Sequence, residues 1–304
     1  MVAFHSDKLY MLIFIRYNKL MKRNILLVLV FIYSLLAFSS TVFSVSPPDA
    51  NSTLTVHFID VGQGDSSFVI LPDGDNVLID VGSPAAGPKL VSYLKSLGIN
   101  KINHLILTHP NDDHIGGIFS VLSEFEVDNF YDNGFSNFES TIFSDYIRRV
   151  RNDLSKYNLL QAGESLNFNS IIVDVLNPLL PPTGNLNNDS VVLRLIYNDI
   201  KIFFSADIGN VSEKRLLKIK SNLESQILKV GHHGENDAAS DAFLEYVKPE
   251  TAIISVGLIN KFAQPHQGLL NRLSQRNIII YRTDLAGNIV LKTNGTTYSV
   301  SAEK

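Results

Sequence analysis

The chain has 304 residues, 45% of them hydrophobic and 18% charged, with a formal net charge of −4. That composition suits a globular protein and sets up no global basic field to draw in nucleic acid or anionic lipid. There is no cysteine, so disulfides, thiolate zinc sites and a lipoprotein anchor are excluded, and any metal must be held by His, Asp, Glu, Asn or water.

Met21-Lys22-Arg23 precedes the apolar run NILLVLVFIYSLLAF and the small, polar stretch SSTVFSVSPPDANST. This order predicts a secretory signal peptide, or a retained signal-anchor, with a short linker over residues 1–50. A membrane span needs roughly 20 apolar residues, which the run reaches only by absorbing its serines and threonine. In either case a domain of residues 51–304 is expected outside the cell, secreted or membrane-anchored. The N-terminal segment is its only expected membrane contact, and no protein partner is expected.

STLTVHFIDVGQGDSSFVILPDGDNVLIDVG alternates apolar and polar residues around the turns GQGD and PDGD, predicting a three-stranded meander. GPKLVSYLKSLGI predicts an amphipathic helix with Leu90, Leu94 and Leu97 on one face. KINHLILTH reads as a buried strand, IGGIFSVLSEF as a helix, and FESTIFSDYIRRVRNDLSKY as one longer helix. Its RRVR cluster reads as a solvated face. SLNFNSIIVDVLNP and SVVLRLIYNDIKIFFSAD read as strands joined by turns. VSEKRLLKIKSN predicts a helix, SQILKV a strand, and residues 240–247 another helix. ETAIISVG, NIIIYRTD and a hairpin about Asn294-Gly295 close the chain.

Two units repeat a pattern. LIDVG and FSADIG each precede a helix and a strand that runs into histidine, at His109 and at His232. Two such units predict two sheets packed face to face with helices outside and ligands gathered at one edge. In THPNDDHIGG, His109, Asp113 and His114 follow a buried strand, a dense presentation of metal ligands. KVGHHG adds His232 and His233, and Asp207 ends a strongly apolar strand, where an unpaired carboxylate would be costly.

HFIDVGQGDSSFVI, LIDVG, ILTHPNDDHIGG, NNDSVVLRL, FFSADIG, LKVGHHG and YRTDLAGNI occur in that order. Together they resemble the metallo-β-lactamase-fold domain of ComEC-type competence proteins. The resemblance implies an α/β fold, a four-layer αβ/βα sandwich, and a metal-dependent hydrolase of the phosphodiesterase or nuclease class. It further implies that Asp113, His114 and one of His232 or His233 hold one metal, that His109 belongs to a second, and that Asp207 bridges them. Asn111 stands where the fold's general motif has a histidine, and Asn188 lies near the place of another, so both are expected to be weak ligands. One firm and one weak site follow, for one or two divalent ions, Zn²⁺ or Mn²⁺. Asp113 is also expected to orient or deprotonate a metal-activated water. His266 and Gln264 are expected to contact a phosphodiester-containing substrate, DNA among the candidates. The alternatives are a cell-surface phosphoryl ester or lactone as substrate, or a metal-binding domain without catalysis.

Overall fold

In the computed structural model, alternate residues of β1 (Leu54–Phe58) turn Leu54, Val56 and Phe58 into a core shared by two sheets. The model describes residues 53–137, 139–151, 156–219 and 222–304. The expected signal or anchor segment lies outside the described residues. Among those described, no helix is long and apolar enough to cross a membrane.

β1, β2 (Ser67–Ile70) and β3 (Asn76–Ile79) form the expected antiparallel meander. From β3 the chain passes through α1 (Gly87–Ser96) to β4 (Lys101–Ile106), which pairs parallel to β3. Helices α2 (Asp112–Ile115) and α3 (Ile118–Glu124) lead to β5 (Glu126–Asp132), and α4 (Thr141–Tyr146) leads on toward β6 (Tyr157–Leu159). The second sheet contains β7 (Ser165–Phe168), β8 (Ile171–Asn177), β9 (Val192–Tyr197) and β10 (Ile200–Phe204). Helix α5 (Asn210–Lys218) joins β10 to β11 (Ile227–Lys229), again in parallel. Then come α6 (Asp241–Val247), β12 (Thr251–Ile254), α7 (Gln267–Ser274) and β13 (Ile279–Arg282). After α8 (Thr283–Ala286) the chain returns to the first sheet as the hairpin β14 (Ile289–Thr293) and β15 (Tyr298–Ala302).

The sheet orders are β15-β14-β1-β2-β3-β4-β5-β6 and β13-β12-β11-β10-β9-β8-β7. Three cores hold them. The first, between the sheets, joins Val56, Val69 and Ile79 to Leu195, Ile202 and Phe204. The second packs Leu90 and Leu94 of α1 and Val121 of α3 on the outer face of the first sheet. The third packs Leu216, Phe243 and Leu269 on the outer face of the second. This is the expected four-layer sandwich.

Three elements differ from expectation. The helix read over residues 138–157 is shorter: α4 ends at Tyr146, a π-helical turn covers Ile147–Arg151, and Tyr157 already belongs to β6. The helix read after the histidine cluster begins inside it, so His114 itself lies on α2. EVDNFYD, to which the sequence reading assigns no element, is β5, paired by β4 and β6 on both sides.

Candidate metal centre

β3, β4, β10 and β11 end at the same edge of the sandwich, and the β1–β2 turn closes over it. Each strand delivers an ionisable group within four residues of its end: Asp80, His109, Asp207, and the pair His232–His233. The backbone there is strained. Asp80, Ala206, His232 and His233 have φ of 58°, 46°, 48° and 54°, a left-handed region that non-glycine residues seldom occupy. Two glycines permit the close approach. A Cβ on Gly64 would lie 2.2 Å from the Asp113 carbonyl oxygen, and one on Gly117 would lie 2.3 Å from that of Val81.

Asp207 is the centre of the arrangement. Its Oδ2 lies 3.2 Å from His114 Nε2, 3.6 Å from His109 Nε2, 3.8 Å from His233 Nε2 and 4.0 Å from His232 Nε2. His233 Nε2 is also 3.2 Å from Asp113 Oδ2. Neighbouring donors on a tetrahedron with bonds of about 2.1 Å sit roughly 3.3 Å apart, so these separations suit a shared cation.

The other ring nitrogens are held from behind. His114 Nδ1 lies 2.8 Å from Asp80 Oδ2. Asp80 in turn accepts from the Thr108 amide and hydroxyl, both at 2.8 Å. His109 Nδ1 faces Thr108 Oγ1 at 3.1 Å. His233 Nδ1 faces Ser255 O at 3.2 Å and Asp65 Oδ1 at 3.3 Å. The Nδ1 of His109, His114 and His233 is thereby occupied, and the Nε2 of each faces Asp207.

The cluster concentrates charge on buried groups. Burial works against charge on His114 and His233, yet Asp207 and the carboxylates around them win. His114 is held well above the ordinary histidine range and His233 is pushed up to about 10. Burial would raise Asp207 and Asp113, but His114 and His233 hold Asp207 well below the carboxylate range and Asp113 at about 2. Burial pushes His109 down to about 3. The carboxylates thus draw positive charge onto two rings that burial would leave neutral.

The test of fit is the set of buried atoms without a hydrogen bond. It includes His109 Nε2, His114 Nε2 and Asp207 Oδ1. Buried polar atoms are nearly always paired, and the two ring nitrogens lie 3.6 and 3.2 Å from the other oxygen of Asp207. The residues present therefore fit a metal ion. Donor groups able to hold one are His109–His114–Asp207 and Asp113–His114–His233.

The structure separates residues that the sequence left together. His233 is buried and enters the cluster, whereas the His232 side chain is 32% exposed and its Nε2 meets Asn187 Nδ2 at 3.1 Å. Asn188 turns away: its Oδ1 accepts from the Gly209 amide at 3.3 Å and its Nδ2 meets Asn185. The asparagine facing the site is Asn187, whose Oδ1 accepts from Asn111 Nδ2 at 2.7 Å. Asn111, Asn187 and His232 thus form a chain along the rim. Gln264 Nε2 donates to His232 O and to Glu235 Oε2, both at 3.1 Å, and Glu235 Oε1 lies 3.0 Å from His266 Nε2. Gln264 and His266 therefore stand beside the His232–His233 loop and not among the ligand atoms. Sequence reasoning gave no role to Asp65, Asp80, Asn187 or Lys229. The argument applied to Asp207, a carboxylate ending an apolar strand, would have found Asp80.

A family model described as the Metallo-beta-lactamase superfamily matches residues 59–257. The chain is 30% identical over 260 residues to ComE operon protein 3 of Bacillus subtilis (strain 168), covering 80% of this chain and 33% of that protein. It is 29% identical over 242 residues to competence protein ComA of Neisseria gonorrhoeae, covering 79% and 32%. The chain thus spans about a third of the length of these curated relatives. Among solved structures, a mutant of the CmlA β-hydroxylase matches with a TM-score of 0.51 at 12% identity, over 79% of this chain and 54% of that one. That likeness is one of fold alone.

Proposed function

We propose a function from one premise: the chain belongs to the metallo-β-lactamase superfamily. The reading is an exported metal-dependent hydrolase that cleaves phosphodiesters, nucleic acid among them. The observation that carries it is the buried group His109, His114 and Asp207, whose ligand atoms lie within 4.8 Å of one another and which includes the unpartnered atoms His109 Nε2, His114 Nε2 and Asp207 Oδ1. Similarity to competence proteins supports a phosphodiester as substrate.

Asp113, His114, His233 and Asp207 would hold one ion, with His109 on the other side of Asp207. An ion in this place supplies an acidified water and neutralises charge on a departing oxygen. The protein's own groups do the rest. Asp113 is the carboxylate of the cluster that solvent reaches, with its side chain 34% exposed. Its free oxygen can accept a proton from an attacking water and hold that water in line. Asp207, buried at the centre, fixes the histidines about one point. At the rim, the amides of Asn111 and Asn187 and the ring of His232 offer donors to a substrate's phosphoryl oxygens. Burial of the first three cores behind the site keeps bulk water to one side of the reacting bond.

The ligand set also bears on metal choice. Beyond His109 and Asp207, the rim half offers neutral amide oxygens, which suit Mn²⁺ better than Zn²⁺. The test is turnover of bis-p-nitrophenyl phosphate, single-stranded DNA, a lactone and nitrocefin by the purified chain with Mn²⁺ and with Zn²⁺, beside the Asp113→Ala chain. Turnover of the phosphodiesters that Asp113→Ala abolishes supports the reading. Turnover confined to the lactone moves the substrate class, and none under any metal leaves a metal-binding domain.

A further inference from the structure

Lys229 is a buried lysine, and lysine is almost never fully buried unless paired. It is 2% exposed, on β11, and shares its face with Ile227, which belongs to the core between the sheets. Its ammonium crosses toward the first sheet and meets Asp65 of the β1–β2 turn, at 2.9 Å from Oδ1 and 2.8 Å from Oδ2. Val230 O is a further acceptor at 3.3 Å. Asp65 is itself locked in place, its amide donating to Asp113 O at 3.2 Å and its carbonyl accepting from Gly82 at 2.9 Å. Its Oδ1 then lies 3.3 Å from His233 Nδ1, which Ser255 O also faces at 3.2 Å.

A buried ion pair is a poor stabilising device. Taking both charges out of water costs about as much as their attraction returns, and apolar replacements of like volume are often neutral or better. The pair therefore calls for another reason, and its neighbour supplies one. Asp65 belongs to two donor groups able to hold a cation, one with Asp207 and His233 and one with Asp80 and His114. Lys229 occupies both of its oxygens. The carboxylate is thereby kept from the metal while it stays an acceptor for the ring.

The same arrangement exists across the site in another chemistry. Asp80 stands behind His114 as Asp65 stands behind His233, and there the amide and hydroxyl of Thr108 occupy the carboxylate. A neighbouring hydroxyl suffices for Asp80 because Thr108 is on the same sheet edge. Asp65 is reached from the opposite sheet, and only a long side chain spans that gap.

We propose that Asp65 and Lys229 are a positioning pair for His233, aiming its Nε2 at Asp113 and Asp207 and keeping the Asp65 carboxylate out of the metal's coordination. The inference rests on the reading of His233 as a metal ligand. It predicts that metal affinity, and not fold stability, is what the pair secures. Removing groups that orient a ligand histidine typically costs ~10–100-fold in metal affinity.

The test is calorimetric titration of the full, chelator-stripped chain with Mn²⁺ and with Zn²⁺, alongside circular dichroism of the metal-free protein. Two double variants are compared with the parent. In Asp65→Leu/Lys229→Met the pair is replaced by apolar groups, and the expected result is unchanged secondary structure with affinity lowered ~10–100-fold. In Asp65→Asn/Lys229→Met an oxygen acceptor for Nδ1 remains, and affinity is expected within about threefold of the parent. Parental affinity in the Leu/Met chain overturns the proposal, as does an equal loss in both variants. If the Leu/Met chain does not fold, ¹⁵N NMR of His233 in the Asn/Met chain decides. An Nδ1–H signal displaced from the parent's supports the proposal, and one identical to the parent's, which Ser255 O alone would hold, overturns it. A parent that binds neither metal overturns the ligand reading itself, and the pair's role with it.

Discussion

The two halves of the centre are built unequally. The inner half, Asp113, His114 and His233 around Asp207, has two carboxylates and two imidazoles, with the Nδ1 of each ring held by a buried partner. The outer half has His109 on Asp207, then Asn111 and Asn187 joined at 2.7 Å and His232 at the surface. Charged donors stand on one side and neutral amides on the other. Affinity for a cation follows charge and orientation, so the inner half should hold an ion firmly and the outer half weakly. The difference teaches that one altered position in a ligand motif can leave a charged half beside a neutral one.

The variant expected to act most strongly is one that breaks both halves together. Asp207→Ala removes the carboxylate common to all four imidazoles, and should strip the chain of bound metal and lower any turnover by at least ~10²–10³-fold, the range for losing one group that stabilises transition-state charge. Metal content and phosphodiesterase rate check this together. Retained metal at parental level would mean that the halves do not share Asp207.

Asp80→Asn should weaken only the inner half. The Asp80 carboxylate fixes the His114 tautomer, and its loss should cost ~10–100-fold in the tighter metal affinity. Competition with a metal-indicator dye measures it. An unchanged affinity would show that Thr108 and packing alone orient the ring.

Asn111→His sharpens the contrast from the other side. An imidazole in place of the amide gives the outer half a second nitrogen ligand, and the weaker Zn²⁺ affinity should rise by about tenfold or more. The inner affinity should not move. If both change alike, the division into halves is wrong.

The smallest effect expected lies outside both. His57 on β1 is buried, with Nδ1 2.9 Å from Tyr93 Oη, and burial pushes its pKa down to about 4. The unfolded chain binds this proton near pH 6.5, so between pH 6.5 and about 4 the unfolded state carries more protons and stability falls as pH falls. Comparing the parent with His57→Leu by denaturant unfolding across that window should show the parent losing stability relative to the variant on acidification. Parallel curves would mean that His57 titrates normally in the fold.

Much of this architecture is written locally. Alternation set the meander, and the apolar strands ending in His109, Asp207 and His232 marked the site edge, because a buried strand that ends in polar ligands has few other uses. What escaped notice depends on tertiary pairing. β5 is polar in sequence and becomes a strand only because β4 and β6 flank it. Helix α7 was hidden in a segment read for its glutamine and histidine alone. Asn188 and Asn187 are adjacent, and only the turn decides which one faces the rim. Lys229 looks like an ordinary surface lysine in ILKV until the opposite sheet brings Asp65 to it. The expected weak ligand Asn111 does lie at the rim, but bonded to Asn187, a partner 76 positions away that no local pattern identifies.

The central claim is inequality between the halves, and counting ions tests it most directly. The chain would be loaded with Zn²⁺, washed with a chelator and analysed by mass spectrometry for metal per chain. The account predicts one retained ion, with a second appearing only under excess Mn²⁺ or with a phosphodiester analogue present. Two zinc ions retained through the wash would contradict it.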